Sequence, residues 1–449
     1  MKKLVAAFAA LLMINTQAAQ AQSILRDAET ESLFADMTRP IIVAAGLNPK
    51  DVRIVLFQDS SINAFTAGGQ TVYINSGLIE AADTANQVQG VLAHELGHVA
   101  DGHVVLADAG VKPALGIALL SLVLGVAAIA AGSGDAGAGI LAAGQTAAQG
   151  KYLAFSRVQE ATADASAARF LDTAGISGRG FLEFFKKLQN EEYRYGYTNI
   201  DPYQQTHPLS GDRIAHLTDT LKASASWGKP LDPALEERFK RVKAKLEGYI
   251  EEPTRTLRDY PATNTSVYAH YARAYAYHKG GYPEKADAET QALITAQPHD
   301  PYFLEIRGQI LLEAGKPVEA LAPLREATQL TNYQPLIATT FGHALIATEN
   351  KANYAEAEKV LRQAVARDDD NPFAWFQLGT VYELQGDNAR ALLATAERAS
   401  LTGDNRTAAS SARAALQGLK PNTPDWIRAQ DIALASQNEL DDQKGKKRR

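Results

Sequence analysis

The sequence of 449 residues contains no cysteine. This absence excludes disulfide bridges, thiolate metal sites and cysteine nucleophiles. The chain also lacks a basic excess, because 45 lysines and arginines face 51 aspartates and glutamates and the net charge is −6. Nucleic-acid binding needs clustered positive charge, so we expect no nucleic-acid partner. The length and a hydrophobic content of 46% indicate a globular protein of two or three domains.

The first 21 residues have the three parts of a secretory signal peptide. Lys2 and Lys3 are charged, an apolar run extends from Leu4 to Met13, and Ala19-Gln20-Ala21 matches a cleavage site. We therefore expect residues 1–21 to be removed and the mature protein to be exported to the periplasm. No cysteine follows the site, so we expect no lipid anchor there.

The next part of the chain mixes strand and helix patterns. Val52 to Phe57 and Thr71 to Asn75 are rich in β-branched and aromatic residues, and Gly68-Gly69 lies between them. These features predict two strands around a turn. A charged stretch over 231–252 predicts a helical connector, and the chain is helical from Pro261 onward. The predicted fold class is α+β and mostly helical, with a small sheet.

The C-terminal half contains an internal repeat. Glycines recur at spacings of 34 and 37 residues, and alanines follow the same rhythm: Gly308, Gly342, Gly379, then Ala286, Ala320, Ala357 and Ala391. Small residues at such positions allow two helices to pack closely. The pattern resembles the tetratricopeptide repeat, whose period is 34 residues. It predicts a connector over 251–264, an all-α solenoid over 265–436 with four repeats and a helical cap, and a charged tail over 437–449.

A short motif, His94-Glu95-Leu96-Gly97-His98, lies in a helical pattern. Residues four apart on a helix differ by about 40° in direction, so both imidazoles can bind one metal ion. Glu95 can reach a water on that metal. His103 follows His98 by five residues, about 140° around an uninterrupted helix, so we expect it beside the site or on the surface rather than as a ligand.

A catalytic zinc site needs a third protein ligand. Glu160 and Asp164 are again four residues apart, on one face of a predicted helix. Glu160 can therefore complete the ligand set, while Asp164 can hold the second ring nitrogen of a histidine. The alternative is a solvated acidic face with no metal.

Together these motifs resemble the HtpX and CAAX-prenyl-protease family of gluzincin metallopeptidases. The matching stretches are Asn63-Ala64-Phe65, Val72 to Leu78, His94 to His98, Ser156 to Asp164, and His207-Pro208 with Arg213-Ile214. The resemblance implies a zinc metallopeptidase domain over 22–250 with one Zn²⁺ per chain. It implies His94, His98 and Glu160 as zinc ligands, Glu95 as the catalytic base, and a substrate beside the strand at 72–75. It also implies that His207 and Arg213 lie near the active site.

An exported peptidase domain before tetratricopeptide repeats is similar in architecture to the β-barrel assembly-enhancing proteases. This similarity implies unfolded or misassembled envelope proteins as substrates and outer-membrane assembly machinery as a partner of the repeats. Two functions are consistent with the sequence. The first is a zinc endopeptidase for envelope or outer-membrane proteins, and the second is a chaperone-like scaffold with a latent or silent protease site.

Two segments have more than one interpretation. His207 precedes a proline, so we expect it on a loop, where its imidazole either caps the zinc at rest or stabilises the oxyanion. Arg213 is expected to contact the oxyanion or a substrate carbonyl.

The segment 114–131 has 18 residues without a charge. It predicts a helix or hairpin over the active site or against a membrane surface, a buried core helix, or a hairpin of membrane spans.

Overall fold

The computed structural model describes residues 23–130, 133–195 and 211–447. The chain divides into two compact units. The first unit contains Thr30–Lys243 and the strand that precedes it, and the second contains Asp27–Glu29 and the chain from Ala244 onward. The predicted signal peptide and His207 lie outside the described residues. The predicted fold class, mostly helical with a small sheet, is confirmed.

The sheet of the first unit has four strands, β1 (Ser23–Leu25), β2 (Arg53–Gln58), β3 (Ala64–Ala67) and β4 (Thr71–Asn75). Their order is β1-β2-β4-β3. β2 and β4 are parallel, so they are not joined to each other by a tight turn. The prediction of two strands is therefore confirmed, but the prediction of a turn between them is wrong. The turn at Gly68-Gly69 joins β3 to β4, and both glycines have positive φ.

Seven of the helices before the second unit surround this sheet and the site described below. They are α1 (Ala28–Ala44), α2 (Ser76–Ala81), α3 (Ala85–Ala100), α4 (His103–Ala130), α5 (Gly134–Ala174), α6 (Arg179–Tyr195) and α7 (Gly211–Ala223). α3 is the central one. It begins where the Thr84 side chain accepts a hydrogen bond from the Gln87 backbone, and each residue from Ala85 to His98 is buried. α5, α6, β3 and β4 pack around it.

The apolar segment forms the first arm of a helical hairpin. α4 and α5 pack against each other along their length. The second arm of the hairpin is α5, which is helical from Gly134. Among the described helices, none is both long enough and apolar enough to cross a membrane.

The connector and repeats follow the predicted helical pattern. α8 (Pro233–Ile250) and α9 (Pro253–Asp259) precede a series of helix pairs. The pairs are α10 (Val267–Lys279) with α11 (Pro283–Ala296), α12 (Pro301–Glu313) with α13 (Pro317–Leu330), α14 (Pro335–Ala347) with α15 (Tyr354–Arg367), and α16 (Pro372–Gln385) with α17 (Asn388–Leu401). Two further helices, α18 (Asn405–Gly418) and α19 (Pro424–Lys447), complete the unit. The predicted charged tail is thus helical as far as Lys447.

The recurring small residues hold the helix pairs together. A Cβ on Gly308 would lie 2.3 Å from Leu324, and one on Gly342 would lie 2.5 Å from Leu361. Ala286, Ala320 and Ala357 are completely buried. Each pair therefore packs a leucine or alanine of one helix against a small residue of the other, and neighbouring pairs share an apolar core.

Candidate metal centre

Two histidines of α3 point into the interior of the first unit. His94 and His98 are one helical turn apart, and their Nε2 atoms are 3.2 Å apart. His94 is completely buried and His98 is nearly so. The spacing predicted by the helix geometry is therefore present, with both ring nitrogens directed to one place.

Glu160 reaches the same place from α5. Its Oε2 lies 3.3 Å from the Nε2 of His94, and its Oε1 lies 3.5 Å from the Nε2 of His98. α3 and α5 can approach this closely because Gly97 has no side chain. A Cβ there would lie 2.8 Å from the backbone oxygen of Ala163.

The three groups fit a tetrahedral metal ion. Zinc binds imidazole nitrogen and carboxylate oxygen at about 2.0–2.1 Å, and a tetrahedron with such bonds has edges of about 3.3–3.4 Å. The observed separations of 3.2, 3.3 and 3.5 Å match these edges. Within the described part of the chain, His94, His98 and Glu160 are the one group of three such residues with converging ligand atoms.

Asp164 lies one turn after Glu160 and orients His94. Its Oδ1 is 3.0 Å from the Nδ1 of His94, so the Nε2 of that ring is directed at the candidate metal position. Burial alone lowers the pKa of His94, but Asp164 and Glu160 outweigh it and raise the pKa to about 9. Burial also opposes ionisation of Asp164, yet hydrogen bonds from Arg213 and His94 lower its pKa below the ordinary value.

Arg213 of α7 connects the two carboxylates. Its Nη1 is 3.0 Å from the Oε2 of Glu160, its Nη2 donates to the Oδ1 of Asp164 at 2.9 Å, and its Nε donates to the other Asp164 oxygen. The guanidinium also lies over the Phe185 ring, 5.3 Å from the centroid. A planar fork held on three sides is a rigid support for both acidic side chains.

His103 lies closer to the site than an uninterrupted helix would place it. α3 ends at Ala100, and Gly102 takes a left-handed φ of +70° before α4 begins at His103. This reversal turns the imidazole back, and its Nδ1 lies 3.0 Å from the Nδ1 of His98. Burial lowers the pKa of His103, which favours the neutral ring. The contact lies on the side of His98 opposite the candidate metal, so His103 contacts a ligand rather than acting as one.

Glu95 and His207 complete the residues named from the sequence. Glu95 is completely buried on α3, between the two histidines in sequence. His207 lies outside the described residues, so its two interpretations stay predictions. Arg213 was expected to contact the oxyanion or a substrate carbonyl, and its observed contacts include two protein carboxylates, those of Glu160 and Asp164.

The strand at 72–75 has neighbours on both sides. β4 pairs with β2 through one edge and with β3 through the other. A substrate therefore has no free β4 edge to pair with, and the expectation of a substrate beside this strand stays a prediction. In the described sheet, β3 occupies the end position, and it packs against α3, which carries the histidines.

Several known proteins are similar to this chain. A family model described as Peptidase family M48 matches residues 26–221. The beta-barrel assembly-enhancing protease of Yersinia pestis is 25% identical over 359 residues, which cover 78% of this chain and 71% of that protein. Among solved structures, the TPR protein YrrB is 19% identical, covering 39% of this chain and 91% of that chain, with a TM-score of 0.33.

A second curated relative has a higher identity over a shorter stretch of the chain. Metalloprotease LoiP of Escherichia coli (strain K12) is 32% identical over 201 residues, which cover 44% of this chain and 74% of that protein. Family M48 consists of metallopeptidases, and the buried HExxH helix with Glu160 provides the corresponding ligand groups. The chain therefore belongs to peptidase family M48 and is a metalloprotease.

Proposed function

We propose that this protein is an exported zinc endopeptidase that hydrolyses peptide bonds of envelope or outer-membrane proteins. The observation that supports it best is the buried triangle of His94, His98 and Glu160, whose separations match a tetrahedral zinc site. The charged group beside it, Glu95, is the base that hydrolysis requires.

His94, His98 and Glu160 would hold the ion. Bound zinc supplies Lewis-acid activation of water and of the scissile carbonyl. Glu95 takes a proton from the attacking water and delivers it to the leaving amine nitrogen. Glu95 is completely buried. Bulk water is therefore excluded from its side chain and cannot compete for the transferred proton.

The remaining charged groups keep the ligands in position. Asp164 holds the Nδ1 side of His94, and His103 holds the Nδ1 side of His98. If the Nε2 of His98 faces the metal, its proton is on Nδ1 and is donated to His103. Arg213 binds Asp164 and Glu160, so we propose that it positions the site instead of binding the oxyanion.

The position of β3 at the end of the described sheet favours an extended substrate. β3 is paired along one edge by β4, and no other strand of the described residues pairs with its second edge, which is the edge that an incoming strand would use. Unfolded segments of envelope proteins can adopt that conformation, whereas folded barrels have already paired their strands. This preference suits removal of proteins that fail to assemble.

The repeats supply the binding function in this proposal. Two aromatic side chains of α16, Phe373 and Phe376, are nearly half exposed. Two other aromatic side chains of this helix, Trp375 and Tyr382, line a cavity of about 590 Å³ together with three arginines. Exposed aromatic residues and arginines are typical of binding surfaces. Because relatives are named for β-barrel assembly, we propose that this surface binds a protein of the outer-membrane assembly machinery.

The scaffold alternative depends on the same surface. In that case the repeats bind partners while the metal site stays silent or latent. His207 bears on this choice. If it caps the metal at rest, His207→Ala raises basal proteolysis, and if it stabilises the oxyanion, the same change lowers turnover.

The decisive experiment uses Glu95→Gln. The variant keeps the size and burial of the side chain but removes the base. We expect cleavage of an unfolded protein such as casein to fall by a factor on the order of 10² to 10⁴ while the bound zinc is unchanged. Cleavage at the rate of the unsubstituted protein would show that this motif is not the active site, and absence of cleavage by both proteins would favour the scaffold.

A further inference from the structure

The outward face of α4 is entirely apolar and exposed. Seven large aliphatic side chains of this helix are each 50–65% exposed, namely Leu115, Leu119, Leu120, Leu122, Val123, Leu124 and Val126. These side chains form one continuous surface that extends over about three helical turns. Soluble proteins rarely leave so continuous an apolar surface without a partner.

The hairpin packing fixes which face is outward. Among the described side chains between Lys112 and Ala128, Ser121 and Gly125 are the buried positions, and they contact α5. A Cβ on Gly144 would lie within 2.0 Å of Ser121, and one on Gly125 would lie 2.6 Å from Leu141. Because small residues bring the two backbones so close, α4 cannot rotate to bury its leucines without separating the helices.

The opposite side of the hairpin is polar. Gln145, Thr146 and Gln149 of α5 are exposed, and they face away from the α4 contact. The hairpin therefore has large aliphatic side chains on its α4 side, and polar side chains interspersed with alanines on its α5 side. This division is typical of a helix pair that lies in the plane of an interface, with its apolar side down and its polar side in water.

Positive charge and an aromatic ring lie at the end of the hairpin that is farther from its turn. Lys112 is exposed and lies three residues before Leu115, so it is on the same face. Lys151 and Tyr152 of α5 are exposed at nearly the same level, because Lys112 lies 18 residues before the end of α4 and Lys151 lies 17 residues after the start of α5. Lysine attracts anionic headgroups, and tyrosine favours the boundary between lipid and water.

We propose that the outward face of α4 binds the surface of an anionic phospholipid bilayer. Between residues 114 and 128 the face offers only aliphatic side chains, without the tyrosine, tryptophan or arginine that anchor most protein interfaces. A lipid surface requires apolar area and flanking positive charge, and both are present. This inference goes beyond the proposed proteolysis and does not depend on it.

The same contact places the metal centre near the membrane. α5 is one continuous helix from the hairpin to Glu160. Glu160 follows Gly150 by ten residues, or about 15 Å along the axis. Binding of the hairpin to lipid thus holds the candidate active site close to a membrane surface, where unassembled membrane proteins would be found.

Flotation of the mature full-length protein with vesicles tests the proposal. The vesicles contain phosphatidylethanolamine and phosphatidylglycerol in a ratio of about 3:1. We expect the protein to float with them and Leu119→Asp/Val123→Asp to bind at least tenfold less. The matched control is Gln145→Asp/Gln149→Asp, which adds the same two charges with the same spacing on the polar side and should float like the unsubstituted protein. Circular dichroism checks that each variant is folded.

Two outcomes would overturn the proposal. The first is a protein that stays at the bottom of the gradient, and the second is equal flotation of all three proteins. If light scattering shows a dimer that Leu119→Asp/Val123→Asp dissociates, and vesicles do not compete with it, the face binds a second copy instead of lipid.

The absence of cysteine allows an independent check of orientation. A single cysteine at Leu120 or at Thr146 can be labelled with an environment-sensitive dye. We expect vesicles to shift the emission of the dye at position 120 to the blue and to leave the emission at position 146 unchanged. Equal shifts at both positions, or a shift at 146 alone, would contradict the proposed orientation.

Discussion

Gly97 controls the distance between the two helices that hold the metal ligands. A Cβ at this position would lie 2.8 Å from the Ala163 backbone oxygen and 3.1 Å from its Cα. Ordinary contacts begin at 3.4 Å, so Gly97→Ala must move α5 by about half an ångström. Glu160 is on α5, whereas His94 and His98 are on α3.

Such a movement is large for a metal site. Ligand distances need to be within about 0.2 Å of their ideal values, so Glu160 in the variant cannot reach the ion that both histidines hold. We expect Gly97→Ala to lose metal affinity by a factor on the order of 10 to 100. Overpacking also destabilises the fold by about 1–3 kcal/mol.

The assay is a competition between the protein and a zinc chelator, followed by thermal unfolding. The matched control is Gly150→Ala, because a Cβ at Gly150 meets no atom within 4 Å. That change lies on α5, the helix that carries Glu160, and should leave zinc affinity unchanged while it improves helix propensity by at most about 1 kcal/mol. Unchanged zinc affinity in Gly97→Ala would refute the link between helix spacing and the metal site.

Three further predictions follow from named contacts. Glu160→Ala removes one of three ligand groups and should lose most of the bound zinc in elemental analysis, whereas full occupancy would exclude Glu160 as a ligand. His103→Ala removes the partner of His98 and should weaken zinc binding about tenfold, with His103→Asn restoring much of it; equal affinities in a chelator titration would show that the contact is dispensable. Gly342→Val places atoms where Leu361 packs and should lower the unfolding temperature of the repeats by several degrees, corresponding to about 1–3 kcal/mol, without changing zinc content; an unchanged melting curve would contradict this packing.

The local part of the site could be predicted because it depends on helix geometry alone. His94 and His98 are one turn apart, and so are Glu160 and Asp164, so each pair needs only the angle per residue. The distance between the two pairs depends on Gly97 and Ala163, a contact between helices that no periodicity describes. The expectation that the two pairs form one metal site was supported by the family resemblance.

The position of His103 shows how one backbone angle changes a prediction. The expected rotation of about 140° from His98 holds for an uninterrupted helix. Gly102 interrupts it with a positive φ, which glycine adopts without strain, and the imidazole returns to His98. A single glycine is a weak sequence signal for the end of a helix. In this sequence Gly102 determines where the His103 side chain lies.

The sheet was harder to predict than the helices. β3 has four residues, two of them alanine, so its β-strand pattern is weak. It forms because Ala64 is buried against the interior and because Phe65 stacks on Tyr73 at 5.0 Å. Pairing across a sheet depends on such nonlocal contacts, and for that reason the parallel arrangement of β2 and β4 was not foreseen.

Zinc reconstitution tests the proposed function most directly. The protein is stripped with a chelator, and zinc is added back in steps while cleavage of an unfolded protein is measured. We expect no cleavage without metal and a linear recovery that stops at one zinc per chain, with Glu95→Gln binding the same equivalent and remaining inactive. Cleavage by the stripped protein, or recovery that needs a different number of ions, would contradict a single zinc centre formed by His94, His98 and Glu160.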